Sequence, residues 1–315
     1  MRIAILNKYQ NMISRGAETF VYELSKRLSK NNEVDVISDI NYFKILKEKY
    51  DFIIPTNGRL QAIIIRKIAW LTGAKVIISG QSGIGWDDKV NLLTFPNAFV
   101  ALSEPAEKWA KKFNSFIKVV KIPNGVDLNK FKIENVKFKI TDNKIKTVLT
   151  VGAATKQKRL DLAIKAVDKL ENVNLLIVSG GGDLTQKIKD YGLAILGKER
   201  FEMISVPYDK MPDIYRRADV FTLPSASSES FGNVLVEAMA SWLPVVATDD
   251  PIRKEIIGDA GILVDPTNIE EYAKALQKTL NINWGEKPRH QAEKFSWDEI
   301  ALKYEELFKT LLNKK

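Results

Sequence analysis

Short β-branched runs alternate with helical periods along the whole of this 315-residue chain. In the first half the predicted strands are Arg2–Leu6, Val34–Ile37, Asp51–Ile54, Lys75–Ser79, Ala98–Ala101 and Lys118–Ile122. In the second half they are Lys146–Val151, Asn174–Val178, Phe201–Ile204, Asp219–Leu223, Pro244–Ala247 and Ile262–Val264. Helical spacing fills the gaps. Over residues 17–30 it puts Phe20, Val21, Leu24 and Leu28 on one face, and over Leu160–Leu170 it aligns Leu160, Ile164, Val167 and Leu170. Thr267 to Glu270 and Ser296 to Glu299 have the spacing of a capping box that opens a helix. Strands that alternate with helices make parallel sheets covered on both faces. The expected fold is α/β, with two doubly wound, Rossmann-like domains facing a central cleft. Ligands of such sheets bind beyond the carboxyl ends of the strands.

The turn Pro123-Asn124-Gly125-Val126-Asp127, followed by a charged irregular stretch, divides the chain. The expected domains are residues 1–125 and 145–296, with a linker at 126–144 and a last helix at 297–315.

Composition removes several classes. No Cys is present, so disulfides and thiolate metal sites are excluded, and the single His290 cannot build a His cluster. No window of about 18 residues is free of charge, so no membrane-spanning helix is expected. The apolar part of the N-terminal segment is too short for a signal peptide. The adjacent pairs Asp87-Asp88 and Asp249-Asp250, read as strand residues, would point apart, and no metal is assigned. The net charge of +9 is uneven: residues 1–125 hold 19 Lys/Arg against 11 Asp/Glu, and residues 126–315 hold 29 against 28. Such an excess suits an acidic acceptor or surface, and equally a generic Lys-rich exterior. Glu104–Lys121 interleaves Trp109, Phe113 and Phe116 with lysines, a pattern of a helix on an anionic bilayer or of one packed on its own sheet. No aromatic-basic recognition motif for nucleic acid is present.

Three Gly-containing loops follow strands. Gly152 to Arg159 places Lys156 and Lys158 before a helix, where free amides and the helix dipole favour anions. Ser230-Phe231-Gly232-Asn233 opens the run VLVEAMA, and Gly180 lies in the Gly-rich turn after Asn174–Val178. Gly16 stands at the first helix start, without the GxGxxG pattern of a dinucleotide site. Glu237 is the one carboxylate inside VLVEAMA, and no Lys or Arg lies between Pro224 and Arg253. A buried carboxylate needs hydrogen-bond donors. Ribose hydroxyls would serve, and so would backbone amides or a distant Lys. Glu229 lies eight residues earlier in a Ser-rich loop.

GAETFVYELSKRL, PNGVD, VGAATKQKRLDLAIKAV, IYRRADVFTLPSASSESFGNVLVEAMASWLPVVATD and AGILVDP together resemble retaining glycosyltransferase family 4, of the two-domain GT-B fold. The resemblance implies transfer of a sugar from a nucleoside diphosphate donor to a hydroxyl acceptor, with retention. The acceptor would be a glycan, a small molecule or a lipid-linked group, with acidic acceptors among the options. By the resemblance Glu229 sits at the donor sugar and Lys158 on the diphosphate, together the catalytic pair. Gly16, Lys156, Ser230, Phe231, Gly232 and Asn233 join the donor site. Glu237, Gly180 and Ile204 take the nucleoside. Gln81 stands on the acceptor side, where the family often has a His. Ala153 replaces a usual Arg, leaving Lys156 or Arg159 to compensate. The last helix is expected to return to the first domain. No cofactor or metal is implied, and the expected location is cytoplasmic, at the inner membrane face. A nucleotide-sugar epimerase of the same fold and a non-catalytic nucleotide-binding homologue remain as alternatives.

Overall fold

The computed structural model describes residues 1–10, 16–132, 145–227 and 229–313. Most of the expected linker, residues 133–144, lies outside the described residues, as do Ser14, Arg15 and Ser228. The chain forms two compact units, Met1–Gly125 with Phe295–Lys315, and Val126–Lys294.

The first unit runs β1 (Arg2–Leu6), α1 (Gly16–Leu28), β2 (Glu33–Ile37), α2 (Tyr42–Lys47), β3 (Phe52–Pro55), α3 (Arg59–Thr72), β4 (Lys75–Ser79), α4 (Trp86–Leu93), β5 (Ala98–Ala101), α5 (Glu104–Phe113) and β6 (Val119–Lys121). The second runs β7 (Lys146–Val151), α6 (Leu160–Asp168), β8 (Val173–Val178), α7 (Thr185–Arg200), β9 (Phe201–Ile204), α8 (Met211–Arg216), β10 (Val220–Leu223), α9 (Asn233–Ala240), β11 (Val245–Thr248), α10 (Pro251–Ile257), β12 (Gly261–Val264), α11 (Ile269–Asn281) and α12 (Lys287–Glu293). The final helix, α13 (Trp297–Leu312), belongs to the first unit.

Each unit holds a six-stranded sheet, in the orders β2-β1-β3-β4-β5-β6 and β12-β11-β10-β7-β8-β9. Neighbouring strands are parallel throughout, with registers such as Ile3↔Phe52 and Leu149↔Leu176. The strands alternate their side chains between two buried faces. In the first unit Ile3, Ile5, Phe52 and Ile54 face α1 and α13, while Ala4, Leu6, Ile53 and Val76 face the side of α3. Apolar residues on every strand position are what two covered faces require.

One capping expectation shifts by a residue. Thr267 does not open α11, because its amide and hydroxyl both donate to Asp265 Oδ1, and Asn268 caps the helix instead. Ser296 does cap α13. The two Asp pairs lie at helix starts, not on strands: Asp87 and Asp88 open α4, and Asp250 caps α10.

The helix α13 is held by packing. Trp297 and Tyr304 lie against Phe20, and Phe308 lies 4.6 Å from Phe52 between ring centres. At the edge Arg27 joins Glu23 to Asp298. Gly125 ends the Pro-Asn-Gly turn directly on the Trp297 ring: a Cβ there would stand 2.6 Å from Trp297 Cδ2. Gly125→Ala is therefore expected to cost about 1–3 kcal/mol, the usual penalty of overpacking, and Trp297→Ala about 3–5 kcal/mol. Denaturant unfolding of both variants checks this, and an unchanged midpoint for Gly125→Ala contradicts the packing.

Candidate functional site

In the second unit the strand order reverses between β7 and β10, since the chain continues to β8 and β9 on one side and to β11 and β12 on the other. Loops leaving two such strands part, and a crevice forms beyond their carboxyl ends. Lys158 comes from the loop after β7 and Glu229 from the loop after β10. Lys158 Nζ donates to Glu229 Oε1 at 2.8 Å and to Oε2 at 2.7 Å. The aliphatic stem of Lys158 lies over the backbone of Gly152, where any side chain would meet it. Both charged side chains are half-buried.

A layer of polar groups supports Glu229. Ser225 Oγ donates to its Oε2 at 3.0 Å. Arg253, fully buried, donates to Ser225 Oγ at 2.6 Å and to the Ala226 carbonyl at 3.0 Å, and pairs with Asp250. Arg159 donates to the Pro224 and Ser225 carbonyls at 2.8 and 2.9 Å. Its guanidinium is thus a strut of the loop after β10. Lys156 is exposed, with no ion pair among the described residues. Sequence reasoning missed Ser225 and Arg253, which no spacing distinguishes from other loop and helix residues.

Of the Ser230–Asn233 set, Phe231 is buried, so only its backbone faces outward. Gly232 holds φ +90 as the residue before α9, and no side chain among the described residues caps that helix end. Amides at a helix start favour anions. Gly180 is exposed, and Ile204 at the end of β9 accepts the Ser179 amide through its carbonyl.

Glu237 is buried as expected, and it has hydrogen-bond donors from the protein itself. Tyr215 donates its hydroxyl to Glu237 Oε2 at 2.8 Å, and Tyr208 bonds the same carboxylate. Burial pushes the Glu237 carboxyl up, while Tyr215, the Lys130 charge and Tyr208 pull it down. Lys130 Nζ itself sits 3.5 Å from the centre of the Tyr208 ring. These donors lie far from Glu237 in sequence.

Gly16 and Gln81 belong to the first unit. Gly16 is exposed at the first turn of α1. Gln81 exchanges two side-chain amide bonds with Asn124, each 2.9 Å, and donates to Ser79 Oγ. It lines a cavity of about 310 Å³ beyond β3 and β4, with Thr56, Asn57, Arg59, Gln61 and Asp87. Arg59 pairs with Asp87 at 2.5 Å. Asn91 anchors the wall: it accepts from the Arg59 amide at 2.9 Å and donates to Asp88 Oδ1 at 3.0 Å. Among the described residues no group of three or more His, Cys, Asp or Glu could hold a metal ion, and no helix is long and apolar enough to cross a membrane.

The fold defines a two-unit α/β protein with a parallel Rossmann-like sheet in each unit. The family of glycosyl transferases group 1 matches residues 132–296, more than half of the chain, and the chain belongs to that family. An uncharacterized glycosyltransferase of Methanocaldococcus jannaschii is 34% identical over 206 residues, covering 58% of this chain and 52% of the relative. The phosphatidyl-myo-inositol mannosyltransferase of Mycobacterium tuberculosis is 34% identical over 185 residues, 56% of this chain and 48% of the relative. The matches thus span about half the length of these curated relatives. Anabaena HepE, crystallised with UDP and glucose, has 17% identity and a TM-score of 0.81 over 98% of this chain and 100% of its own. At that identity the likeness is one of fold, the GT-B fold of two Rossmann-like domains.

Burial pushes the Asp88 carboxyl up to about 7, opposed by the Asn91 hydrogen bond and reinforced by the Asp87 charge. The folded value lies above the unfolded one of about 4. Its contribution to stability is therefore complete below pH ~4 and is lost as pH rises through about 7. Asp88→Asn keeps the acceptor for Asn91 and removes the charge. It is expected to melt higher than the parent at pH 8, with no gain at pH 4. Equal melting differences at both values would show that Asp88 does not titrate in this range.

Proposed function

We propose that this glycosyltransferase moves a sugar from a nucleoside diphosphate donor to a hydroxyl acceptor, with retention at the anomeric carbon. The observation that carries the reading is the Lys158–Glu229 pair at the strand-order reversal of the second unit. An ammonium has three donors, so Lys158 can bridge Glu229 and a phosphate oxygen. Charge develops on the diphosphate as it leaves. Lys158, the exposed Lys156 and the amides of Ser230 to Asn233 at the start of α9 are placed to stabilise it, as preorganised donors do. Glu229, oriented by Ser225, then accepts from donor-sugar hydroxyls. That HepE was crystallised with UDP and glucose supports a nucleotide-sugar donor.

The nucleoside falls to Glu237, Gly180 and Ile204. A carboxylate offers about four lone-pair sites, so two phenols leave room for ribose hydroxyls on Glu237. The acceptor falls to the first unit, to Gln81 and the cavity it lines, and Gly16 is assigned to the donor. Charge on the leaving group is met by Lys and amides, so the reading needs neither cofactor nor divalent ion, and chelator is expected to leave the rate unchanged.

Lys158→Ala is expected to lower turnover by about 100- to 1000-fold, the usual effect of losing one such donor. Glu229→Gln is expected to abolish transfer while nucleotide binding persists. Thermal shift against UDP-, GDP-, ADP- and CDP-sugars finds the donor, since a tight ligand raises stability by mass action. Product analysis then decides: a new α- or β-glycoside matching the donor anomer supports the reading. An interconverted nucleotide sugar, or binding without transfer or hydrolysis, overturns it.

A further inference from the structure

The helix α3 is apolar on both sides. Gln61, Ala62, Ile65, Ile68 and Ala69 face inward. Leu60, Ile63, Trp70 and Leu71 face out, Trp70 with 80% of its surface exposed. At 100° per residue these four, together with Lys67, fall within an arc of about 100°. Where a helix is apolar on two sides, both are normally covered, and here the outer set is not.

Its neighbours continue the surface. Beside α3, α2 exposes Phe43 to 81% and α4 exposes Trp86. Neither α2 nor α3 contains an acidic residue. The span 42–118 holds twelve Lys/Arg against six Asp/Glu and so carries most of the net charge. The acids are spent: Asp88 is buried, Asp87 pairs with Arg59, Glu104 and Glu107 with Lys108 and Lys111, and Glu48 with Arg2. Asp51 accepts the Arg2 amide. The ammonium groups of Lys44, Lys47 and Lys67 have no ion pair among the described residues.

We propose that the outer face of α2, α3 and α4 docks on an anionic lipid bilayer, with Trp70, Leu71 and Phe43 entering the interface and the lysines meeting the headgroups. Aromatic and aliphatic side chains rimmed by lysines are what such a surface selects. A second copy fits worse, because a twofold contact would press two basic faces together. Nucleic acid fits worse too, since phosphates would meet an apolar stripe. The contact differs from the one that the stretch Glu104–Lys121 suggests, because Trp109 of α5 packs partly onto the core. Docking is separate from the transfer reaction and needs no donor.

The intact protein is sedimented with vesicles of phosphatidylcholine, with and without phosphatidylglycerol, while tryptophan emission is followed. Binding only to the anionic vesicles, weakened by salt and accompanied by a blue shift, is the expected result. The double variant Trp70→Glu/Leu71→Glu is expected to weaken it at least ~10-fold, with an unchanged melting temperature because both side chains are exposed. Charge reversal at Lys44, Lys47 and Lys67 is expected to do the same at low salt. No binding to anionic vesicles at low salt overturns the proposal. So does equal binding by the double variant, or a solution dimer that the double variant dissolves.

Discussion

Lys158 and Glu229 meet because the sheet of the second unit turns back on itself between β7 and β10. Every other neighbouring pair in that sheet is joined by one helical crossover. Only at the reversal do consecutive loops diverge and leave room beyond the strand ends. A half-buried ion pair there needs hydrogen bonds on its remaining positions, or desolvation outweighs its attraction. Ser225 supplies one to Glu229, Arg253 holds Ser225, and Asp250 holds Arg253. The site is thus built as layers, with the half-buried Glu229 backed by the buried Ser225, Arg253 and Asp250. Such a chain fixes the rotamer of Glu229 without using the lone pairs that face the crevice.

The strands were legible because a sheet covered on both faces demands short apolar runs, and little else in a chain produces them. Their bounds move by a residue or two, as assignments at element ends do. Lys158 and Glu229 were legible for a different reason: each sits in a strand–loop–helix context that a motif describes. The surroundings of Glu237 were not. Its burial follows from VLVEAMA, but Tyr208, Tyr215 and Lys130 approach from segments up to about a hundred residues away, and periodicity reports nothing across that distance. Arg253 shows the same limit. On α10 it reads as one exposed cation among several, and only the fold turns it inward beneath Ser225.

The surface of the first unit shows where patterning misleads. The run AIIIRKIAWL in α3 is apolar on two sides and broken only by Arg66 and Lys67, so its pattern does not tell a core face from an exposed one. Composition places the excess of cations in the first unit but not on a particular face. Only the arrangement of α2, α3 and α4 side by side joins the two facts, apolar stripe and unpaired lysines, on one surface.

The replacement of the family's usual Arg by Ala153 has a consequence for how a diphosphate would be held. Arg159 cannot fill the gap, because its guanidinium is bound to the carbonyls of Pro224 and Ser225, and moving it would release the loop that carries Glu229. Burial and the nearby Arg253 charge push its pKa down. Lys156 and Lys158 remain, both ammonium groups. An ammonium attracts as a point charge and lacks the fork that fixes a phosphate in two bonds. In the proposed site, orientation of the leaving group would then fall to the backbone amides at the start of α9. Those amides are fixed by the helix, whereas Lys156 is exposed and screened by salt. In the proposed donor site the direction of a diphosphate would be set by main chain, and its attraction by lysine.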